Sequence, residues 1–101
     1  MSRRRPEFSD AFAVVLQRRR IARKLSRQAL AQKAGLHQTY IGLIERCVSN
    51  PSLDTAKAIA EALEVPLSQL IAESEMEHSA LSGARTDPKI RSNSFFILRF
   101  G

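Results

Sequence analysis

The polar residues with the most informative spacing lie near the middle of the chain. Gln38 and Thr39 are followed about one helical turn later by Leu43, and Arg46 comes three residues after that. If this stretch is helical, these four side chains lie on one face. An amide can bind the edge of an adenine, a hydroxyl can bind a base or a phosphate, and a branched apolar group can contact a thymine methyl. The spacing therefore predicts a helix face suited to nucleic acid, on which Gln38, Thr39 and Leu43 are the candidate base-contacting residues.

The distribution of charge points to the same partner. The chain has 101 residues, a net charge of +6 and an isoelectric point of about 10.5. Residues 1–33 carry ten Lys or Arg against two acids, a balance of +8, whereas residues 34–74 carry two against five, a balance of −3. A basic front half favours a polyanion, most commonly nucleic acid. The basic residues of segment 18–24 could instead form only a solvated helix face, and Arg3–Arg5 could be a DNA-following arm or a charged terminus.

Other classes of function find little support. Cys47 is the only cysteine, and His37 and His78 have no second ligand at helical spacing, so we expect no metal site. No nucleophile–base pair, phosphate loop or paired carboxylate stands at a meaningful spacing, so we expect no enzyme, no catalytic residue, no cofactor and no evident small-molecule ligand. No apolar run approaches a membrane span, and a single cysteine fits a reducing cytoplasm. Cys47 is either a structural thiol or, beside Arg46, a redox sensor.

Apolar residues at helical spacing divide the chain into five short helices. Ser9, Ser26 and Ser52 are predicted N-caps, Gly35 ends the second helix, and Pro66 fits the first turn of the fifth. We therefore predict an all-α fold, a compact five-helix repressor-like DNA-binding domain with an extended C-terminal tail. The predicted divisions are a basic arm (1–8), a helix-turn-helix domain (9–73) and a flexible tail (74–101) that ends in the apolar hexamer Phe95–Phe100.

The second and third of these helices have the spacing of a helix-turn-helix. Two helices that cross at a tight turn need a small residue at the crossing, which Ala31 supplies, and a residue that tolerates positive φ in the turn, which Gly35 supplies. Leu36, Ile41 and Ile44 provide the inward face of the next helix. The match of all these positions together is a strong indication of the motif.

Six segments resemble the phage-repressor/Cro-like (XRE-type) helix-turn-helix regulators. They are Leu25–Ala31, Ala34–Gly35, Tyr40–Ile41, Ile44–Arg46, Asn50–Leu53 and Ile59–Val65. The resemblance covers roughly residues 10–73 and is closest in size to restriction–modification controller proteins and short phage or plasmid regulators. It implies a cytoplasmic homodimer that binds a palindromic double-stranded DNA operator and represses or activates transcription.

The resemblance also implies roles for single residues. Gln38 matches the base-reading glutamine, Thr39 its small neighbour, and Arg27 a residue that touches phosphate and braces Gln38. Arg20 and Glu45 match a pair that ties the first helix to the third. Contacts to phosphate are expected from Ser26, Arg27, Gln28, His37, Arg46, Asn50, Arg19 and Arg23.

Two departures and two open questions accompany this resemblance. Cys47 stands where relatives have a helix-ending glycine, and His37 replaces the usual Ser or Thr cap of the third helix. We expect dimerisation through Leu67, Leu70 and Ile71, with the C-terminal hexamer either extending that contact or forming a plain tail. The alternative function is an antitoxin-like subunit that binds a partner protein, and such a binder would want exposed aromatic residues on the third helix.

Overall fold

The computed structural model describes residues 6–83, and every regular element in this range is an α-helix. The five helices are α1 (Phe8–Ala22), α2 (Arg27–Ala34), α3 (Gln38–Glu45), α4 (Leu53–Ala62) and α5 (Leu67–Leu81). This confirms the predicted all-α, five-helix architecture. The predicted arm residues Arg3–Arg5 and the hexamer Phe95–Phe100 lie outside the described residues. None of the described helices is long and apolar enough to cross a membrane.

Side-chain caps start two of the helices as the sequence predicts. Ser26 Oγ accepts a hydrogen bond from the Ala29 N–H at 2.9 Å, and Ser52 Oγ accepts one from the Thr55 N–H at 3.0 Å. The predicted cap at Ser9 is wrong, because α1 begins two residues earlier than that cap implies. Its N-cap is Glu7, whose N–H donates to Asp10 Oδ2 at 2.8 Å.

A tight turn joins α2 to α3. Gly35 has a φ of 72°, and the Leu36 N–H donates to the Ala31 carbonyl at 2.8 Å. This six-residue closure is the Schellman arrangement, in which glycine is favoured at the left-handed residue because a side chain there is strained. The turn therefore fixes the angle at which α3 leaves α2.

The core lies where the five helices meet. Fully or almost fully buried side chains come from every helix: Phe12, Val15, Leu16, Leu30, Ala31, Ile41, Ile44, Ala56, Ile59, Ala60, Leu63 and Leu70. These include Ile41 and Ile44 from the predicted inward face of the third helix, whereas Leu53 is 77% exposed at the first turn of α4.

The fifth helix is longer than the sequence indicates. It continues through Leu81, so the predicted start of a flexible tail at residue 74 is wrong for residues 74–81. Ser74 looks polar in sequence, yet it is fully buried and its hydroxyl donates to the Leu70 carbonyl at 2.8 Å. Satisfying the hydroxyl within the helix lets a serine occupy the apolar contact between α1 and α5.

Candidate nucleic-acid interface

The outward face of α3 carries the predicted base-contacting residues together. Gln38 and Thr39 are exposed on its first turn, Leu43 is half-buried one turn later, and Arg46 is exposed at its C-cap. Ile41 and Ile44, on the opposite side of the same helix, are completely buried or nearly so. The core contacts of these two isoleucines therefore determine which side chains α3 presents to solvent.

The first turn of α2 borders this face. Ser26, Arg27 and Gln28 are exposed there, and a recess of about 460 Å³ separates α2 from the start of α3. The recess is lined by Gln28, Ala31, Gln32, Leu36, His37, Gln38 and Thr39. His37 is the N-cap of α3 in extended conformation, but its side chain makes no capping hydrogen bond. His37 is exposed at the edge of the recess. Asn50 is also exposed, in the loop after α3.

A buried carboxylate ties α1, α2 and α3 together behind this face. The Glu45 side chain is 1% exposed and accepts hydrogen bonds from Arg20 Nε at 2.6 Å, from Arg20 Nη2 at 3.1 Å and from Arg27 Nε at 2.9 Å. Arg20 also donates from Nη1 to the Leu25 carbonyl at 2.9 Å. The predicted Arg20–Glu45 pair is present. Arg27 is its third member, which the sequence did not predict.

Glu45 occupies only part of the Arg27 guanidinium. Its Nε is held by Glu45, while the side chain remains 48% exposed and its terminal nitrogens carry further donors. Two arginines share one carboxylate, so the cluster has a net charge of +1. Arg27 is thus a cation fixed in direction beside α3, whose geometry suits a phosphate oxygen.

Other arginines of α1 are directed elsewhere. Arg19 makes a two-pronged ion pair with Glu73 of α5, through Nε at 3.0 Å to Oε1 and through Nη2 to Oε2. Arg18 Nη2 lies 2.7 Å from Glu77 Oε1. The hydrogen bond from Arg19 holds the pKa of Glu73 below its ordinary value, and the same bond raises the pKa of Arg19. The predicted phosphate role of Arg19 disagrees with this placement, because its guanidinium already binds a carboxylate on the fifth helix.

Arg23 also has a carboxylate partner. Its Nη2 lies 3.0 Å from Glu64 in the α4–α5 turn, where Lys33 approaches the same carboxylate at 4.0 Å. Both ends of the Arg23–Glu64 pair are exposed, so the pair is weak. It nevertheless directs Arg23 toward the end of α2 farthest from Arg27, which disagrees with its predicted phosphate contact. In the sequence, only the spacing of Glu73 and Glu77, two acids four residues apart on one helix, could have indicated carboxylate partners for the arginines of α1.

Cys47 occupies the position after α3 in a glycine-like conformation. Its φ is 63°, and the Cys47 N–H donates to the Ile44 carbonyl at 3.0 Å. Cys47 thus adopts the left-handed conformation that favours glycine, although a side chain disfavours it.

The predicted dimer residues divide into two groups. Leu70 is completely buried in the core, so its predicted place in a dimer interface is wrong. Leu67 and Ile71 are half-buried at the surface of the same helix. Ile71 borders an apolar groove of about 370 Å³ whose rim includes Phe8, Pro51 and the exposed Leu53.

Comparison with known proteins places this geometry in a family. The sequence profile of the family HTH_3, described as helix-turn-helix, matches residues 16–70. The immunity repressor protein of Bacillus phage phi105 is 45% identical over 51 residues, which are 50% of this chain and 35% of the repressor. The chain thus spans about a third of the length of that relative.

Two solved structures share the fold. The restriction-modification controller protein C.AhdI from Aeromonas hydrophila is 34% identical with a TM-score of 0.60, over 61% of this chain and 94% of that protein. C.Esp1396I, solved bound to a 25 base pair operator site, is 25% identical with a TM-score of 0.67, over 71% of this chain and 95% of that one.

Proposed function

The chain belongs to the helix-turn-helix family HTH_3, whose profile covers more than half of it, and we propose that it is a sequence-specific transcriptional regulator of the repressor or controller type. In this proposal it binds a palindromic operator as a homodimer, with α3 in the major groove. The observation that carries the proposal is the outward face of α3. It presents an amide, a hydroxyl and a cation, while the neighbouring carboxylate of Glu45 is buried and neutralised.

Base readout falls to the first two turns of α3. Gln38 reaches an adenine edge through its amide, Thr39 reaches the next base or a phosphate, and Leu43 meets a thymine methyl. Phosphate contacts come from both sides of the recess, and in this proposal they are made by Ser26, Arg27, Gln28, His37, Arg46 and Asn50.

A single α3 contacts too short a stretch of DNA to act alone, and this is the reason to propose a dimer. One α3 covers only a few base pairs, so useful selectivity requires two copies that read half-sites about one helical turn apart. The proposed contact is the apolar groove rimmed by Phe8, Pro51, Leu53 and Ile71, continued by Leu67. Burying Leu53, which is 77% exposed, would remove the largest apolar area on this rim.

The protein-interaction alternative has weaker support. A protein-binding α3 would expose aromatic residues, but the aromatic side chain on this helix, Tyr40, is half-buried against the core. The face is polar instead, which favours nucleic acid.

Selection of bound sequences from random double-stranded DNA tests the function directly. We expect one enriched motif with two-fold symmetry. Binding to that motif should weaken with salt, with a log–log slope of about −4 for a dimer, from about −0.9 per phosphate and two cations, Arg27 and Arg46, in each protomer. Arg46→Ala should flatten the slope. The matched control Arg18→Ala should not, because Arg18 pairs with Glu77 on α5. A salt-independent interaction, or no enrichment, would contradict the proposal.

Sedimentation of two variants tests the dimer face. Leu53→Lys should yield monomers. Met76→Lys should leave the dimer intact, since Met76 is 74% exposed and about 140° around α5 from Ile71 by helical geometry. A wild-type protein that is monomeric even on its operator would overturn the dimer, and the opposite pattern of variants would move the interface to the other side of α5.

A further inference from the structure

Gly42 stands in the middle of the proposed DNA-facing stripe of α3. It lies one turn after Gln38 and one turn before Arg46, so the three positions form a row along the helix. A glycine inside a helix lowers helix stability relative to alanine, because its backbone loses more freedom on folding. In a helix of only eight residues this loss of stability matters, so the presence of glycine at position 42 requires a reason.

The backbone conformation does not supply that reason. Among the described residues, the glycines with positive φ are Gly35 and Gly83, and Gly42 has ordinary helical geometry. An alanine would adopt the same conformation without strain.

Packing within the protein does not supply it either. A Cβ placed on Gly42 would meet a single side-chain atom within 4 Å, Arg27 Cδ at 4.0 Å, which is an ordinary van der Waals contact. The Arg27 stem can therefore pass beside an alanine and still reach Glu45. Within residues 6–83, no contact requires position 42 to lack a methyl group.

We propose that Gly42 is an affinity-determining position, at which the absence of a side chain lets the backbone of α3 come against the wall of the DNA major groove. The inference rests on the proposed DNA binding. With Gln38 at the bases and Arg46 at the phosphates, position 42 is the part of the row that lies between them. A side chain there keeps the helix away from the groove and lengthens the contacts on both sides. Glycine at position 42 thus lowers the stability of the fold but lets α3 approach the DNA more closely.

The inference gives stability and affinity opposite signs. Gly42→Ala should raise Tm by about 2–8 °C, because alanine is the better helix former. The same variant should bind the selected operator on the order of tenfold more weakly, a loss the size of one base contact. Gly42→Leu should bind more weakly again, since the loss grows with the length of the side chain.

Three further variants make the result specific. Ser79→Ala, an exposed helix position on α5, should raise stability slightly and leave affinity unchanged, so added stability alone does not weaken binding. Gln38→Ala should weaken binding, which reports that α3 is the reading helix. In an Arg27→Ala background, Gly42→Ala should keep its penalty, because the obstruction is toward DNA rather than toward the arginine.

The outcomes separate this inference from the proposed function. If the wild-type protein selects no DNA, the function fails and the inference fails with it. If the wild type binds and Gln38→Ala weakens binding, but Gly42→Ala binds as tightly as wild type, only the inference is overturned. A fall in Tm for Gly42→Ala, or a penalty that disappears with Arg27→Ala, would also overturn it, because the glycine would then serve the fold.

Discussion

Replacing Glu45 by glutamine tests the cluster that joins the first three helices. The substitution keeps the shape of the side chain but removes its charge and turns one acceptor oxygen into a donor. Glu45 accepts three hydrogen bonds from Arg20 and Arg27, at 2.6, 3.1 and 2.9 Å. A glutamine amide places an N–H group against at least one arginine donor, so at least one of these bonds is lost.

The burial of each partner sets the magnitude. The Arg20 side chain is 10% exposed and the Glu45 side chain 1%, so the Arg20 charge would be left without a counter-charge in a site largely closed to water. Breaking a buried pair in this way costs about 3–5 kcal/mol. Arg27 adds little, because its side chain is 48% exposed and water can replace the lost bond. We therefore expect Glu45→Gln to lower the free energy of unfolding by about 3–5 kcal/mol. A typical domain has a free energy of unfolding of roughly 5–15 kcal/mol, so this loss is a large part of it.

Urea denaturation at neutral pH measures this loss as a change in the free energy of unfolding. Glu61→Gln is the matched control, since it breaks an exposed pair with Lys57 and should cost no more than about 1 kcal/mol. The double replacement Arg20→Met with Glu45→Leu should regain most of the stability, because no charge then remains buried. A Glu45→Gln protein within about 1 kcal/mol of wild type would refute the reasoning and mean that water reaches Arg20.

Three further predictions follow from the site and its supports. Gln38→Ala should weaken the binding free energy for the selected operator by about 1–3 kcal/mol and relax selectivity at one base pair. Binding measured over a series of single-base operator variants checks this, and a uniform loss on all sequences would mean that Gln38 contacts the DNA backbone instead. Because the pKa of Glu73 is lowered by Arg19, this pair stabilises the fold above the unfolded carboxyl pKa of about 4.3, and its contribution is lost as pH falls through the lower folded value. Thermal melts of wild type and Glu73→Gln between pH 3 and 7 should therefore converge at the acid end, whereas a constant difference would contradict the assignment. Cys47→Gly should raise the free energy of unfolding by about 1 kcal/mol in urea, since φ at Cys47 is 63°, and an unchanged or lower value would show that the side chain offsets the strain.

Local sequence was sufficient for the helices and the reading face. The serine caps, the glycine turn and the apolar spacing act between residues a few positions apart, so their consequences can be derived without knowing the rest of the fold. The same periodicity that buries Ile41 and Ile44 puts Gln38 and Thr39 outside. Five helices, the helix-turn-helix and the candidate base-reading residues could all be predicted in this way.

The partners of the charged residues could not be predicted from local sequence alone. The ten basic residues in the first third of the chain favour a polyanion as the partner, yet Arg18 and Arg19 lie against acids more than fifty positions later. Which arginine meets a carboxylate depends on how α5 crosses α1, and that angle is set by packing of the whole core. The extension of α5 has the same origin, because α5 packs against α1 and Ser74 is buried on α5 in spite of its polarity.

The sequence by itself thus determined where the five helices lie, apart from the start of α1 and the extension of α5, and which face of α3 is polar, because both follow from periodicity and short-range hydrogen bonds. Only the tertiary structure decided that Arg27 joins Arg20 on Glu45, that Leu70 lies in the core, and that Arg18, Arg19 and Arg23 each lie against a carboxylate. It also decided that Gly42 has room for a methyl group, since free space beside a backbone depends on every element that packs around it.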